Sequence, residues 1–293
     1  MPRRIKRQSR AVHAGLRDNV AINSGINGEP MSTLNKNPAT IQTADYSKHA
    51  KLKVKPNPGF AHAKNRNLVA VSVAELGICS GNFPLVFVKA PEDKRYVLMA
   101  MLGLKAGENM YFGEQFWEST YVPLAVQRHP FIVGIDERVQ DKEQLATCLE
   151  MDSPFLNEKE GVALFNEDGE ESETLRNAHQ LLSSMFEGGK FTGQFIQKLV
   201  ELNLVVTLDL SLQLRNGEMH KVSGLFTVDE NALKDLSAEQ LKELQVLGFL
   251  APCYLMLVSL YQLNQLIRQR NRKGLEQITG FRIELNGQVR ATE

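Results

Sequence analysis

Any chemistry in this chain has its best starting point in YVPLAVQRHPF (residues 121–131), where Arg128 and His129 stand between an apolar segment and Pro130. The single tryptophan, Trp117, lies just upstream. Tyr111, Phe112, Phe116, Trp117, Tyr121 and Phe131 place six aromatic residues within 21, in a chain only 7% aromatic. Such rings stack on sugars and planar ligands, and Arg128 and His129 would add polar contacts. Trp117, Tyr121, Arg128 and His129 are therefore the candidate ligand-binding residues. The competing and favoured reading has the same rings anchoring an irregular connection onto a sheet. His129 suits a general base because imidazole titrates near neutrality. A base also needs an orienting partner, and the neighbouring residues identify none, so no catalytic residue is assigned. With no G-x-S-x-G, H-E-x-x-H, Walker A or G-x-G-x-x-G motif, the reading leans away from an enzyme and expects no cofactor.

Metal chemistry finds little support. The stretch 150–173 holds nine Asp and Glu against Lys159, and NEDGEESE (166–173) superficially suggests a calcium loop. It lacks the alternating ligands and distal glutamate of an EF-hand. A solvated turn leading into the acidic start of a helix explains it better. Cys79, Cys148 and Cys253 are far apart among apolar neighbours, which predicts reduced, buried thiols and no metal site.

Net charge is zero, but it is unevenly spread. Residues 1–66 carry 13 Lys and Arg against three Asp and Glu, a net +10, so residues 67–293 carry −10. An acidic body is not expected to bind nucleic acid. Residues 1–66 lack hydrophobic periodicity and are expected to be disordered, with a natural translation start at Met31. No secretory signal is recognisable, so a cytoplasmic location is expected, with envelope association left open.

The elements that would position these residues read as one α+β domain over 67–273, with a peripheral tail at 274–293. Antiparallel hairpins come first and helices concentrate in the C-terminal half. FPLVFVKAPEDKRYVLMAMLGL (83–104) reads as a hairpin turning at Pro91-Glu92-Asp93. Pro123 suits a first helical turn, Arg128-His129 its C-terminal end, and Pro130 sends the chain into the strand FIVGIDE (131–137). LATCLEM (145–151) is a further strand. Leu175, Ala178, Leu181, Leu182, Met185 and Phe186 mark a helix face that Gly188-Gly189 should end, before a second short helix at 195–200. Val206, Leu208, Leu210, Leu212 and Leu214 alternate with polar residues. A three-residue loop, Arg215-Asn216-Gly217, pairs Leu210 with Val222 and Val206 with Phe226, apolar against apolar. Asp229 is predicted to cap one helix, and Ser237 with Gln240 to form a capping box. Residues 245–267 carry no charge and are long enough to span a membrane. Their polar and Pro/Gly interruptions favour a buried core helix instead.

Several phrases together resemble the SapC family of bacterial proteins: FPLVFVK (83–89), LGLKAGENMYF (102–112), YVPLAVQRHPFIV (121–133), EMDSPFL (150–156), ALFNEDGE (163–170), VSGLFTVDENAL (222–233) and LGFLAPCYLMLVSLYQLNQL (247–266). They run in order from about residue 68 to 272, which makes 67–273 a SapC-like domain. The resemblance implies an accessory or interaction protein. The family name comes from surface-layer loci, and members are often encoded near TonB-dependent receptors. Protein partners in the envelope or uptake machinery are the corresponding expectation. The family offers no catalytic residues to carry over. The rival reading is a sugar, amino-acid or flavin binder, or an enzyme, using residues 111–131.

Overall fold

Alternating and β-branched runs set the strands of this protein. The computed structural model describes residues 40–57, 59–91, 94–135, 145–285 and 288–291. In chain order the strands are β1 (Ile41–Thr43), β2 (Lys53–Val54), β3 (Leu68–Ala70), β4 (Leu85–Lys89), β5 (Tyr96–Met101), β6 (Phe131–Ile135) and β7 (Leu145–Glu150). They continue with β8 (Leu156–Asn157), β9 (Val162–Ala163), β10 (Val205–Leu214), β11 (Met219–Val228), β12 (Ile278–Leu285) and β13 (Gln288–Ala291). The α-helices are α1 (Tyr46–His49), α2 (Leu76–Cys79), α3 (Leu124–Gln127), α4 (Glu173–Glu201), α5 (Glu230–Lys234), α6 (Ala238–Val246), α7 (Leu250–Ser259) and α8 (Gln262–Arg272). The fold is α+β, its sheets are antiparallel, and its helices lie mainly in the C-terminal half.

Two compact units interleave along the chain. Among the described residues, the first takes in 40–57 and 127–187, and the second 59–126 and 188–291. The first holds two three-stranded sheets, ordered β1-β7-β6 and β8-β2-β9. Strand alternation divides β6 between two clusters. Phe131 and Val133 join Leu149, Leu164, Phe165 and the α4 residues Leu175, Ala178 and Leu182. Ile132 packs with Ala146 and Cys148. Ser172 Oγ accepts from the Leu175 N–H at 3.3 Å, so NEDGEESE is a turn into the acidic start of α4.

The second unit is built on a seven-stranded sheet, ordered β13-β12-β10-β11-β4-β5-β3. Val206, Leu208, Leu210, Leu212 and Leu214 of β10 are all buried, as their alternation predicts. Leu210 faces Val222 across a loop in which Gly217 has φ +89°. Past that point the register shifts, and Val206 faces Thr227 rather than Phe226. The cause is a bulge at Gly224, whose φ of +82° is open to glycine and strained for other residues. Asp229 and the Ser237–Gln240 box cap α5 and α6 as expected. The charge-free run takes in the end of α6, all of α7 and the first part of α8. Cys253 and Met256 are buried on α7, as is Phe249 just before it, and Ser259 Oγ accepts the Leu85 N–H of β4 at 3.0 Å. By length and composition alone Leu250–Arg272 also qualifies as a membrane span, a test that core helices of soluble proteins pass too.

Three expectations change. Residues 40–66 contain β1, α1 and β2 rather than lacking regular structure, because β1 pairs with β7 and β2 with β8 and β9. Residues 1–39 and the turn at Glu92-Asp93 lie outside the described residues, as does the connection 136–144. Strand β12, expected within a peripheral tail, pairs with β10 from Leu208 to Leu214 and buries Ile278, Ile283 and Leu285. Helix α4 runs unbroken through Gly188-Gly189. Glycine costs about 1 kcal/mol against alanine in a helix, too little to overcome burial on both sides of it. Gly188 lies against Ser72, where a Cβ would come within 3.3 Å of that side chain, whereas a Cβ on Gly189 meets nothing within 4 Å. Gly189→Ala is therefore expected to stabilise the protein by about 1 kcal/mol in urea unfolding, with a smaller gain for Gly188→Ala.

Candidate functional site

The predicted site residues fall into two groups, one in each unit. In the second unit, Trp117 and Tyr121 belong to a network around Glu75. Ser72 and Glu75 form a capping box on the 3₁₀ turn Val73–Glu75. Glu75 Oε2 accepts from the Ser72 N–H at 2.9 Å and from its hydroxyl at 3.0 Å. Glu75 Oε1 accepts from the Tyr121 hydroxyl at 3.0 Å and the Leu124 N–H at 2.9 Å. The residue is 6% exposed, and these four donors meet the acceptor capacity of a buried carboxylate. Burial, followed by the charge of Glu75, pushes the Tyr121 hydroxyl and the Cys79 thiol well above their ordinary pKa values.

Trp117 donates its ring N–H to the Tyr121 carbonyl at 2.8 Å and stacks against Tyr111, which is edge-on to Phe83. Tyr111 and Phe112 are buried while Phe116 is exposed. The polar groups of Trp117 and Tyr121 thus meet partners within the chain, and the rings brace the connection that follows β5.

In the first unit, Arg128 and His129 converge on two residues that the sequence reading did not single out. β6 and β7 are antiparallel with Phe131 opposite Leu149, and the Glu150 N–H donates to the Pro130 carbonyl at 3.0 Å. This register brings the end of β7 beside the start of β6. The His129–Pro130 peptide is cis. Glu150 Oε1 lies 3.5 Å from Arg128 Nη1, and Glu150 Oε2 lies 3.3 Å from His129 Nδ1. The Arg128 guanidinium also donates to the Phe131 carbonyl at 2.7 Å. The chain turns after β7, the Ser153 N–H donating to the Glu150 carbonyl at 2.9 Å. That turn places Ser153 Oγ 2.9 Å from His129 Nε2. Phe155 packs its ring at right angles to the imidazole, 5.6 Å between centroids.

The result is a cluster in which the imidazole is hydrogen-bonded to serine on its Nε2 side and faces a carboxylate at ion-pair distance on its Nδ1 side, with arginine as the carboxylate's second partner. The side chains of Glu150, His129 and Arg128 are only 3%, 9% and 12% exposed. A charge so buried is tolerated only when it is paired.

A family model described as SapC matches residues 45–266. The chain belongs to the SapC family. No curated protein and no solved structure matches it. In this SapC chain the matched span begins at Asp45, the residue that caps α1, and so reaches earlier than the quoted phrases do. It contains all of Arg128, His129, Glu150 and Ser153 and ends before β12. Glu150 and Ser153 both sit in EMDSPFL, a phrase that carried the SapC resemblance. Their 21- and 24-residue separations from His129 hid the contact, because only the β6–β7 register closes it.

A second buried pair was also missed. Arg270, expected only to complement a helix C-terminus, is 3% exposed and lies 3.3 Å from Glu108 Oε1. Its guanidinium also bonds the Glu276 carbonyl.

Proposed function

We propose that this SapC protein is an accessory protein that acts by docking to a protein of the envelope or nutrient-uptake machinery through the outer face of α7. The observation that supports this is an exposed apolar stripe. Tyr254 and Val258 stand four residues apart on one face of α7, and Tyr261 follows just past its end. Val258 is 58% and Tyr261 70% exposed, and Val246 and Leu247 at the end of α6 are exposed as well. The opposite face of the helix is committed to the sheet through Cys253, Met256 and Ser259. An α-helix apolar all round has one face more than its own fold covers. Tyrosines with aliphatic neighbours are the composition of protein interfaces, where aromatic anchors dominate the affinity. The buried free thiols Cys79, Cys148 and Cys253 suit a reducing compartment, and so a partner met from the cytoplasmic side.

The test uses a photo-crosslinking residue at position 261 and detergent-solubilised envelope from the native cell. An adduct with an uptake or surface-layer component is expected. Val258→Lys should reduce its yield at least tenfold while leaving thermal unfolding unchanged. Equal yield from the folded variant would exclude this face.

A further inference from the structure

We propose that Ser153 is a nucleophile with His129 as its base and Glu150 as the group that orients the base, forming an acyl-transfer site for activated esters and thioesters. The inference is independent of the docking face, which lies on the other unit.

The geometry has the polarity that such chemistry needs. The Nδ1 side of the imidazole faces a carboxylate at 3.3 Å and the Nε2 side faces a hydroxyl at 2.9 Å. A proton on Nδ1, drawn to Glu150, leaves the Nε2 lone pair to accept the Ser153 proton. The 3.3 Å contact is an ion-pair distance without hydrogen-bond geometry, so the ring and carboxylate must align as positive charge develops on the imidazole. Arg128 lies 3.5 Å from the carboxylate as its counter-charge, and its own bond to the Phe131 carbonyl ties it to the strand.

Access is the second requirement. Ser153 is 6% exposed and its chain neighbours Asp152 and Pro154 are both exposed, so acylation requires the side chain to be uncovered by movement of this turn. The Phe155 N–H donates to Ser153 Oγ at 3.3 Å and so holds the hydroxyl in place. Pro154 has no N–H, so the residue after the nucleophile adds no oxyanion donor. A site without a preorganised oxyanion donor stabilises a tetrahedral intermediate weakly. The site therefore fits acyl groups with good leaving groups, such as thiolates and phenolates, rather than amides.

The steps balance without any added oxidant or cofactor. Ser153 Oγ forms a bond to the acyl carbon as its proton passes to His129 Nε2. The tetrahedral intermediate collapses, the carbon–sulfur or carbon–oxygen bond breaks, and the leaving group takes the proton from Nε2. Water, giving its proton to Nε2, then attacks the acyl-serine, and that proton returns to Ser153 Oγ as the carboxylic acid departs.

The test is covalent labelling of the full chain with a fluorophosphonate, which forms an Oγ–phosphorus bond and releases fluoride, read by intact mass and peptide mapping. p-Nitrophenyl acetate and an acetyl thioester form parallel arms that distinguish the two acyl classes. One adduct per native chain is expected, mapped to Ser153 and absent from Ser153→Ala. His129→Gln should slow labelling at least 100-fold, and Glu150→Gln at least tenfold. The urea-unfolded wild type, which retains every serine but not the array, should not react, and this keeps the test decisive if the His129 variant misfolds. No adduct on native Ser153, or labelling that proceeds equally in folded His129→Gln, would overturn the proposal. Ser153→Ala should leave envelope capture unchanged, so failure of one reading does not imply failure of the other.

Discussion

Glu75→Ala is expected to destabilise the protein by about 4 kcal/mol in urea unfolding at pH 7, from the donors it would strand. The Ser72 N–H and hydroxyl, the Tyr121 hydroxyl and the Leu124 N–H all end on this one carboxylate. A hydrogen bond to a charged acceptor contributes about 1.5–3 kcal/mol, and a buried donor left without a partner adds a desolvation penalty. Water entering the vacated space recovers part of the loss, which sets the expected value below the sum. Glu75→Gln should recover little, because its amide nitrogen would set a donor against donors. A pH series checks the same network. The Tyr121 hydroxyl is raised in the folded state by burial and by Glu75, so its contribution is present below about pH 10, the unfolded tyrosine value, and is lost as pH rises above it. In Glu75→Ala, where one cause of the shift is gone, the alkaline loss should be smaller. A cost below about 1 kcal/mol would show that the network does not hold the aromatic connection.

The second large effect is at Glu150. Removing it as Glu150→Ala should cost about 3 kcal/mol at pH 7, since Arg128 would keep its charge in a nearly buried place without the carboxylate. The double variant Arg128→Met with Glu150→Leu should return to within about 1 kcal/mol of the wild type, because a buried pair is worth little more than apolar side chains of similar size. The cycle of single and double variants thus measures a strong coupling between residues 128 and 150. Additive losses would mean that the 3.5 Å contact does not govern this end of β6 and β7.

Local chemistry made much of the second half of the chain readable. Asp229, Ser237 and Gln240 act within three residues of their partners, and the β10 alternation is a period of two that burial enforces. The hairpin loop followed from apolar matching, but the bulge at Gly224 did not, since the pattern of side chains is silent about backbone with positive φ. Gly188-Gly189 misled because helix propensity is weak against tertiary burial of Leu182 and Phe195. The candidate site was half legible. Arg128 and His129 stood out by type, whereas Glu150 looked like the first of nine acidic residues and Ser153 was only a letter within EMDSPFL. Their meeting depends on a non-local pairing that no local period encodes.

The position of β10 sets an order of events during synthesis. Its partner β11 follows at once, but β12, which covers the other edge from Leu208 to Leu214, is made some 60 residues later. Until then the emerging chain carries an open edge on an apolar strand, the kind of surface that recruits foreign strands. β1 likewise waits about 100 residues for β7, so both units close on distant segments. Such nonlocal closure favours slow folding and dependence on chaperones.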